Sequence, residues 1–363
     1  MIKNTLEKII SRNSKKHKYI LAGRRLNKLF NGISHGDYTL ITGLPATGKR
    51  SFVDYYYVLR LLDQWDKLDK EAKERRPLKI TYFTTKYSTD YKMMKWSSAL
   101  FTLTSKVMLD VPTLLQGSGR LFNITDTLLG RIVEKSSLLE RAIEGGVLEI
   151  IDHNITPITI DKKLNDLISS QGDIEYLDNG KIEFTPKEEF ETALNVVIID
   201  DINHISAGKS SFGEGNMERD EISSSLNDIL SKFSKLGMAI TVVKRTDASK
   251  IYGKYTPSTK EIGAMSVTKC IVMYDPVTDK LKDFLSFGME EFIDGYDINR
   301  LRFAYIAYNE TGISNMYMPL LFTPENGIFV ELKMMTNEAN SSYNVTKFTD
   351  MVKKRHATRP KKK

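Results

Sequence analysis

Apolar residues along this chain fall into two alternating patterns. Short unbroken apolar runs, Tyr38 to Thr42, "KITYFT", "VLEIID", "NVVIID" and "AITVVK", have the length and the β-branched and aromatic content of buried strands. Between them lie stretches with helical spacing. One follows a glycine loop, from Ser51 to about Leu68, and carries "FVDYYYVLRLL". Another fills about Tyr91 to Ala142, interrupted near Gly117-Ser118-Gly119. "TIDKKLNDLISS" predicts a helix capped by Thr159 or Asp161, and "RDEISSSLNDILSKFSKLG" one that ends at Gly237. Apolar strands alternating with amphipathic helices predict a mostly parallel central sheet flanked by helices on both faces, an α/β fold. The last strands, "CIVMYD", "LRFAYIAYN" and "MPLLFTPENGIFVEL", follow without such helices. They predict an antiparallel flank, its final segment a hairpin turned at Glu325-Asn326-Gly327. The polar stretch Gly172 to Glu189 reads as a surface hairpin or inserted loop. Tyr55, Tyr56 and Tyr57 point in three helix directions, so at least one ring is expected to be exposed or at an interface.

Charge adds an organisation that periodicity does not show. The net charge is +7, but Met1 to Lys28 holds nine Lys or Arg against Glu7 alone, and Lys353 to Lys363 holds seven and no acid. The ends are thus +8 and +7 on a body of −8. Two basic arms on an acidic body point to a phosphate-rich partner, nucleic acid first. The expected layout is a helical basic arm over 1–30, one globular domain over 31–345 with a polar insertion near 172–189, and a basic tail over 346–363. A single cysteine, Cys270, excludes disulfides within the chain and cysteine-based metal clusters. No apolar run approaches the roughly 20 residues of a membrane helix, and the N-terminus lacks the apolar block of a signal peptide. A cytosolic protein is expected, in the host cytoplasm if phage-encoded.

The chemistry concentrates at "LITGLPATGKRS", Leu40 to Ser51. A strand, then GxxxxGK, then a helix is the arrangement in which backbone N–H groups cradle phosphates and the Lys neutralises them. Gly43, Thr47, Gly48, Lys49, Arg50 and Ser51 are the candidate nucleotide-binding residues. An acid at the end of a second buried strand should meet the Mg²⁺ shell, and "VVIIDD" supplies Asp200 with Asp201 beside it. ATP is the implied ligand, with Mg²⁺ at Asp200 if a metal is retained. The "GKSS" of "AGKSSFGEGN" lacks the upstream glycine and reads as a loop. The five histidines show no metal-ligand spacing.

The succession "GISHGDYTLITGLPATGKRSF", "YFTTK", "IIDHNITPITIDKKL", "VVIIDDINHI", "EISSSLNDILSKFSKLGMAITVV" and "RFAYIAYNETG" resembles the C-terminal motor domain of hexameric replicative helicases of the DnaB type, especially phage versions. It spans about Leu26 to Leu332. The resemblance implies a RecA-like P-loop NTPase fold, a homo-oligomer or a hetero-oligomer with a related helicase, and single-stranded DNA as partner. Such helicases also carry an N-terminal primase-interacting domain; here the basic arm stands in its place, and no such domain is expected.

Against that pattern the catalytic positions depart one after another. Arg50 replaces the Mg²⁺-binding Thr; Ser51 offers a hydroxyl one position later, turned by about 100° around the helix. Lys86 stands where the family has the Glu that activates water, and Lys244-Arg245 where it has a polar sensor. The Lys and Arg that a neighbouring subunit offers to the γ-phosphate fall at Tyr308 and Glu310. Lys86, Arg245 and Glu310 are therefore the degenerate catalytic positions. A finger arginine alone contributes about 10³–10⁵ in rate, so hydrolysis is in doubt. Two readings of the added cations stay open. They replace the metal in a pocket that still takes phosphate, or Arg50 or Lys86 pairs with Asp200 or Asp201 and fills the metal position. "RTDASKIYGKYTPSTK" lies where the family faces DNA, and Lys250, Tyr252, Lys254, Tyr255 and Lys260 suit backbone contact and base stacking, or else a solvated loop. The function expected first is a helicase-like protein with a degenerate ATPase site, binding DNA or a helicase partner in replication. An active ATP-driven 5′–3′ helicase and a non-catalytic adaptor subunit are the alternatives.

Overall fold

The computed structural model describes residues 24–30, 32–116, 123–177, 182–206, 219–246, 266–275, 298–310, 314 and 316–332. Its centre is a nine-stranded sheet. In chain order the strands are β1 (Tyr38–Thr42), β2 (Leu78–Thr84), β3 (Leu148–Ile151), β6 (Leu194–Asp200), β7 (Ala239–Val243), β8 (Lys269–Tyr274), β9 (Leu301–Asn309), β10 (Met316–Thr323) and β11 (Ile328–Glu331). Strands β4 (Gly172–Tyr176) and β5 (Ile182–Pro186) form a separate antiparallel hairpin, as the polar insertion predicts. The sheet order is β11-β10-β9-β8-β1-β7-β6-β2-β3. From β8 to β3 every pairing is parallel; β9, β10 and β11 add antiparallel strands at one edge.

The unbroken apolar runs follow from burial on both faces. In β6, Val196 and Ile198 join one hydrophobic cluster, whereas Val197 and Ile199 join the other. The first cluster packs a continuous helix over 49–66 and the helix Thr89–Ser105; the second packs Pro157–Gln171 and Arg219–Lys235. Parallel strands place their carboxyl ends along one rim of the sheet, where such folds bind ligands. The loops after β1, β2, β6 and β7 all leave from that rim.

Three local features differ from expectation. The helix Pro157–Gln171 begins earlier than Thr159: Thr156 is its cap, and Thr159 returns a hydrogen bond to the Thr156 N–H in a capping box. Proline at the first helical position accounts for the shift. The rings of Tyr55, Tyr56 and Tyr57 are all buried, so none is exposed. They lie in a π-helical turn, Asp54–Leu59, in which the Arg60 N–H reaches the Tyr55 carbonyl. That turn is wrapped by the sheet, by Phe52 and by Phe329 of β11, which leaves no solvent-facing side. Finally, the described end of the basic arm, Arg24–Phe30, is a helix whose Leu26 and Phe30 are fully buried in the first cluster. The Asn309 side chain donates to the Leu29 carbonyl at 2.7 Å and fastens it there. Among the described residues no helix is long and apolar enough to cross a membrane.

Candidate functional site

The loop after β1 has the backbone that phosphate binding requires. Gly43 has φ of +139°, and a Cβ there would lie 2.3 Å from the Met273 carbonyl oxygen of β8, so only glycine fits. Gly48 has φ of +90° and turns the chain into the helix that starts at Lys49. The Thr47 hydroxyl donates to the Leu44 carbonyl at 2.9 Å, and the Lys49 ammonium donates to the same oxygen at 2.5 Å. The N–H groups and positive dipole end of a helix eighteen residues long thus open beside Lys49.

The metal position has different contents. Arg50 Nε donates to Asp200 Oδ1 at 2.6 Å, and Nη2 donates to Asp201 Oδ2 at 3.0 Å. The other oxygen of Asp200 receives the Lys92 ammonium at 2.9 Å and the Tyr82 hydroxyl at 2.9 Å. Lys92 also donates to Asp54 Oδ1 at 3.0 Å, and Lys95 donates to Asp54 Oδ2 at 3.0 Å and to the Ser51 hydroxyl at 3.0 Å. Three cations and three carboxylates are therefore interlocked behind the loop. Burial pushes the Asp54 carboxyl up, but the charges of Lys92 and Lys95 outweigh it and hold the group at about 2. Burial likewise works against the charged Lys92, yet Asp200 and Asp54 keep its ammonium above the usual lysine range. The Tyr82 hydroxyl, buried beside two carboxylates, is pushed well up.

Mg²⁺ does not fit this set. It demands near-octahedral oxygen ligands at about 2.0–2.1 Å. Here both oxygens of Asp200 already hold cationic nitrogens, the first helical hydroxyl position is Arg50, and Ser51 faces Lys95. Among the described residues no group of three His, Cys, Asp or Glu could hold a metal.

In front of the network lies a cavity of about 340 Å³ lined by the loop, Arg50, Ser51, Lys86, Tyr87, Lys95, Asp201, His204, Arg245 and Phe322. It brings Lys49, Arg50, Ser51, Lys86 and Arg245 together from four segments. Lys86 and Arg245 are exposed at its rim. Lys86 lies over the Tyr87 ring at 5.6 Å, and Arg50 lies over the same ring at 5.7 Å. His204 Nδ1 is 3.5 Å from Asp201 Oδ2. Glu310 is exposed beyond the end of β9 and does not line the cavity. Lys250, Tyr252, Lys254, Tyr255 and Lys260, the "GKSS" loop and the basic tail lie outside the described residues.

Asp54, Tyr82, Lys92 and Lys95 are absent from the sequence-based candidates. Their signal was present: Lys92 shares a helix face with Trp96 and Ala99, both buried, and Asp54 sits within "FVDYYY". A charge in phase with a buried face needs a partner.

No protein-family model and no curated protein matches the chain. Solved structures do. The ATPase domain of a DnaB-like helicase matches with a TM-score of 0.62 at 12% identity, over 92% of this chain and 99% of that one. A second DnaB-like replicative helicase, described with its interactions with primase, matches with a TM-score of 0.60 at 12% identity, over 91% of this chain and 67% of that one. The fold is therefore that of the RecA-like P-loop ATPase domains found in DnaB-like helicases.

Proposed function

We propose that this chain is a non-hydrolysing protein built on the replicative-helicase motor fold, acting in DNA replication by binding DNA or a helicase partner. The observation that carries the reading is the bridge from Arg50 to Asp200 and Asp201, which puts a guanidinium where hydrolysis would need a metal ion. Lys86, exposed at the cavity rim, is a cation and cannot orient water as a carboxylate does. Glu310, at the position from which a neighbouring subunit would reach a γ-phosphate, would repel it. The basic ends, +8 and +7, supply the charge for a phosphate-rich partner, and the segment 250–260 supplies lysines and tyrosines suited to single strands. The chain is taken to work in the cytosol as part of an oligomer.

A DNA-stimulated ATPase assay with Mg²⁺ tests the reading. No phosphate release above background is expected, with or without single-stranded DNA. Multiple turnover would overturn it in favour of an active helicase. Binding to single-stranded DNA should weaken steeply with salt. Salt-independent association with a helicase alone would assign the partner as protein.

A further inference from the structure

The cavity in front of the loop has an electrostatic imbalance that the buried network does not share. Of its lining residues five are Lys or Arg, and Asp201 is the only acid. Arg50 and Lys95 spend their charge on Asp200, Asp201 and Asp54. Lys86 and Arg245 meet no carboxylate among the described residues; Lys86 rests on the Tyr87 ring, and Arg245 is held by its backbone N–H, which donates to Asn203 Oδ1 at 2.8 Å. Lys49, more than nine-tenths buried, reaches the same space. Arg50 uses Nε and Nη2 on the two aspartates, so Nη1 remains for a further acceptor. The volume, about 340 Å³, is that of a small-ligand site.

A polyphosphate needs several positive charges around it. A metal-dependent loop takes two of them from a divalent ion; this one supplies them from side chains. An incoming Mg²⁺ would face Arg50 and Lys92, which already hold both oxygens of Asp200. We infer that this pocket binds a polyphosphate, either inorganic tripolyphosphate or the tail of a nucleoside triphosphate, as the bare anion without a divalent cation. The inference rests on the same site as the proposed function and names its ligand class.

Calorimetric titration of the full chain separates the possibilities, with tripolyphosphate and ATP used in turn, each in EDTA and in excess Mg²⁺. Binding in EDTA is expected, and Mg²⁺, by sequestering the anion, should weaken it several-fold. Tighter binding of ATP would assign the nucleotide as the source, and equal affinities the phosphates alone. Binding that requires Mg²⁺, or no binding in EDTA, overturns the inference. Lys86→Ala and Arg245→Ala, at exposed positions whose unchanged melting would report an intact fold, should each lower affinity by about 5–10-fold. Unchanged affinity in both removes the rim from the site. Metal-dependent binding without ATP turnover would sink this inference alone, whereas turnover would sink the proposed function as well.

Discussion

Gly43 lies so close to Met273 that no side chain fits there, while Lys86, at the rim of the same pocket, stands in solvent and touches only a tyrosine ring. Between these extremes sits the Asp54–Lys92–Asp200 network, buried and paired on every side. The contrast separates what the fold requires from what chemistry requires. A glycine wedged between β1 and β8 belongs to the packing of the sheet, so the loop backbone persists whatever the pocket does. The side chains around it are fixed only by one another. They keep a phosphate-shaped backbone and surround it with positive charge in place of a metal site.

The sharpest way to break this contrast is to remove the central cation. Lys92→Met leaves two buried carboxylates short of a partner and should cost about 3–5 kcal/mol, read from denaturant unfolding. A loss below about 1 kcal/mol would show that water reaches the network. Next comes Gly43→Ala, which forces a Cβ against the Met273 carbonyl in a left-handed backbone; about 2–3 kcal/mol is expected by the same measurement. Acid provides a third test. The Asp54 carboxyl is lowered from 3.8 to about 2, so its contribution is complete above pH 4 and is lost as pH falls towards 2. That contribution is about 2 kcal/mol, and Lys92→Met should flatten the acid limb of a stability profile. Arg50→Thr should cost about 1–2 kcal/mol, because Arg50 is partly exposed. Mg²⁺ should not raise the melting temperature of that variant, since Lys92 still holds Asp200; a clear rise would make Arg50 the sole barrier to metal. The smallest effect belongs to Lys86→Ala, expected within about 0.5 kcal/mol of the parent in stability.

Much of the scaffold was legible in the sequence for one reason: strands buried on both faces must be apolar throughout. "NVVIID" and "AITVVK" therefore marked β6 and β7 closely, and the helix-free C-terminal strands marked the antiparallel edge. Local chemistry was less legible where two signals competed, as at Thr156, where Pro157 moved the helix start ahead of Thr159. The loop positions Gly43 to Ser51 and Asp200 could be named because their spacing is local or ends a strand. The Lys92 network could not, because its contacts join residues 38 and 108 positions apart, and no periodicity records which buried cation meets which acid.

The π turn at Asp54–Leu59 sets the angular phase of everything after it on the helix 49–66. One residue more per turn rotates the following side chains by about 100° relative to an uninterrupted α-helix. Asp54, at the start of the shift, faces Lys92, and the three tyrosines beyond it all turn inward. A single-residue deletion here would leave the composition almost unchanged and still dial Leu61 and Leu62 away from the core. The helix thus behaves like a keyed shaft, whose far end seats in the core only when its first turn is locked against the charges beneath the phosphate loop.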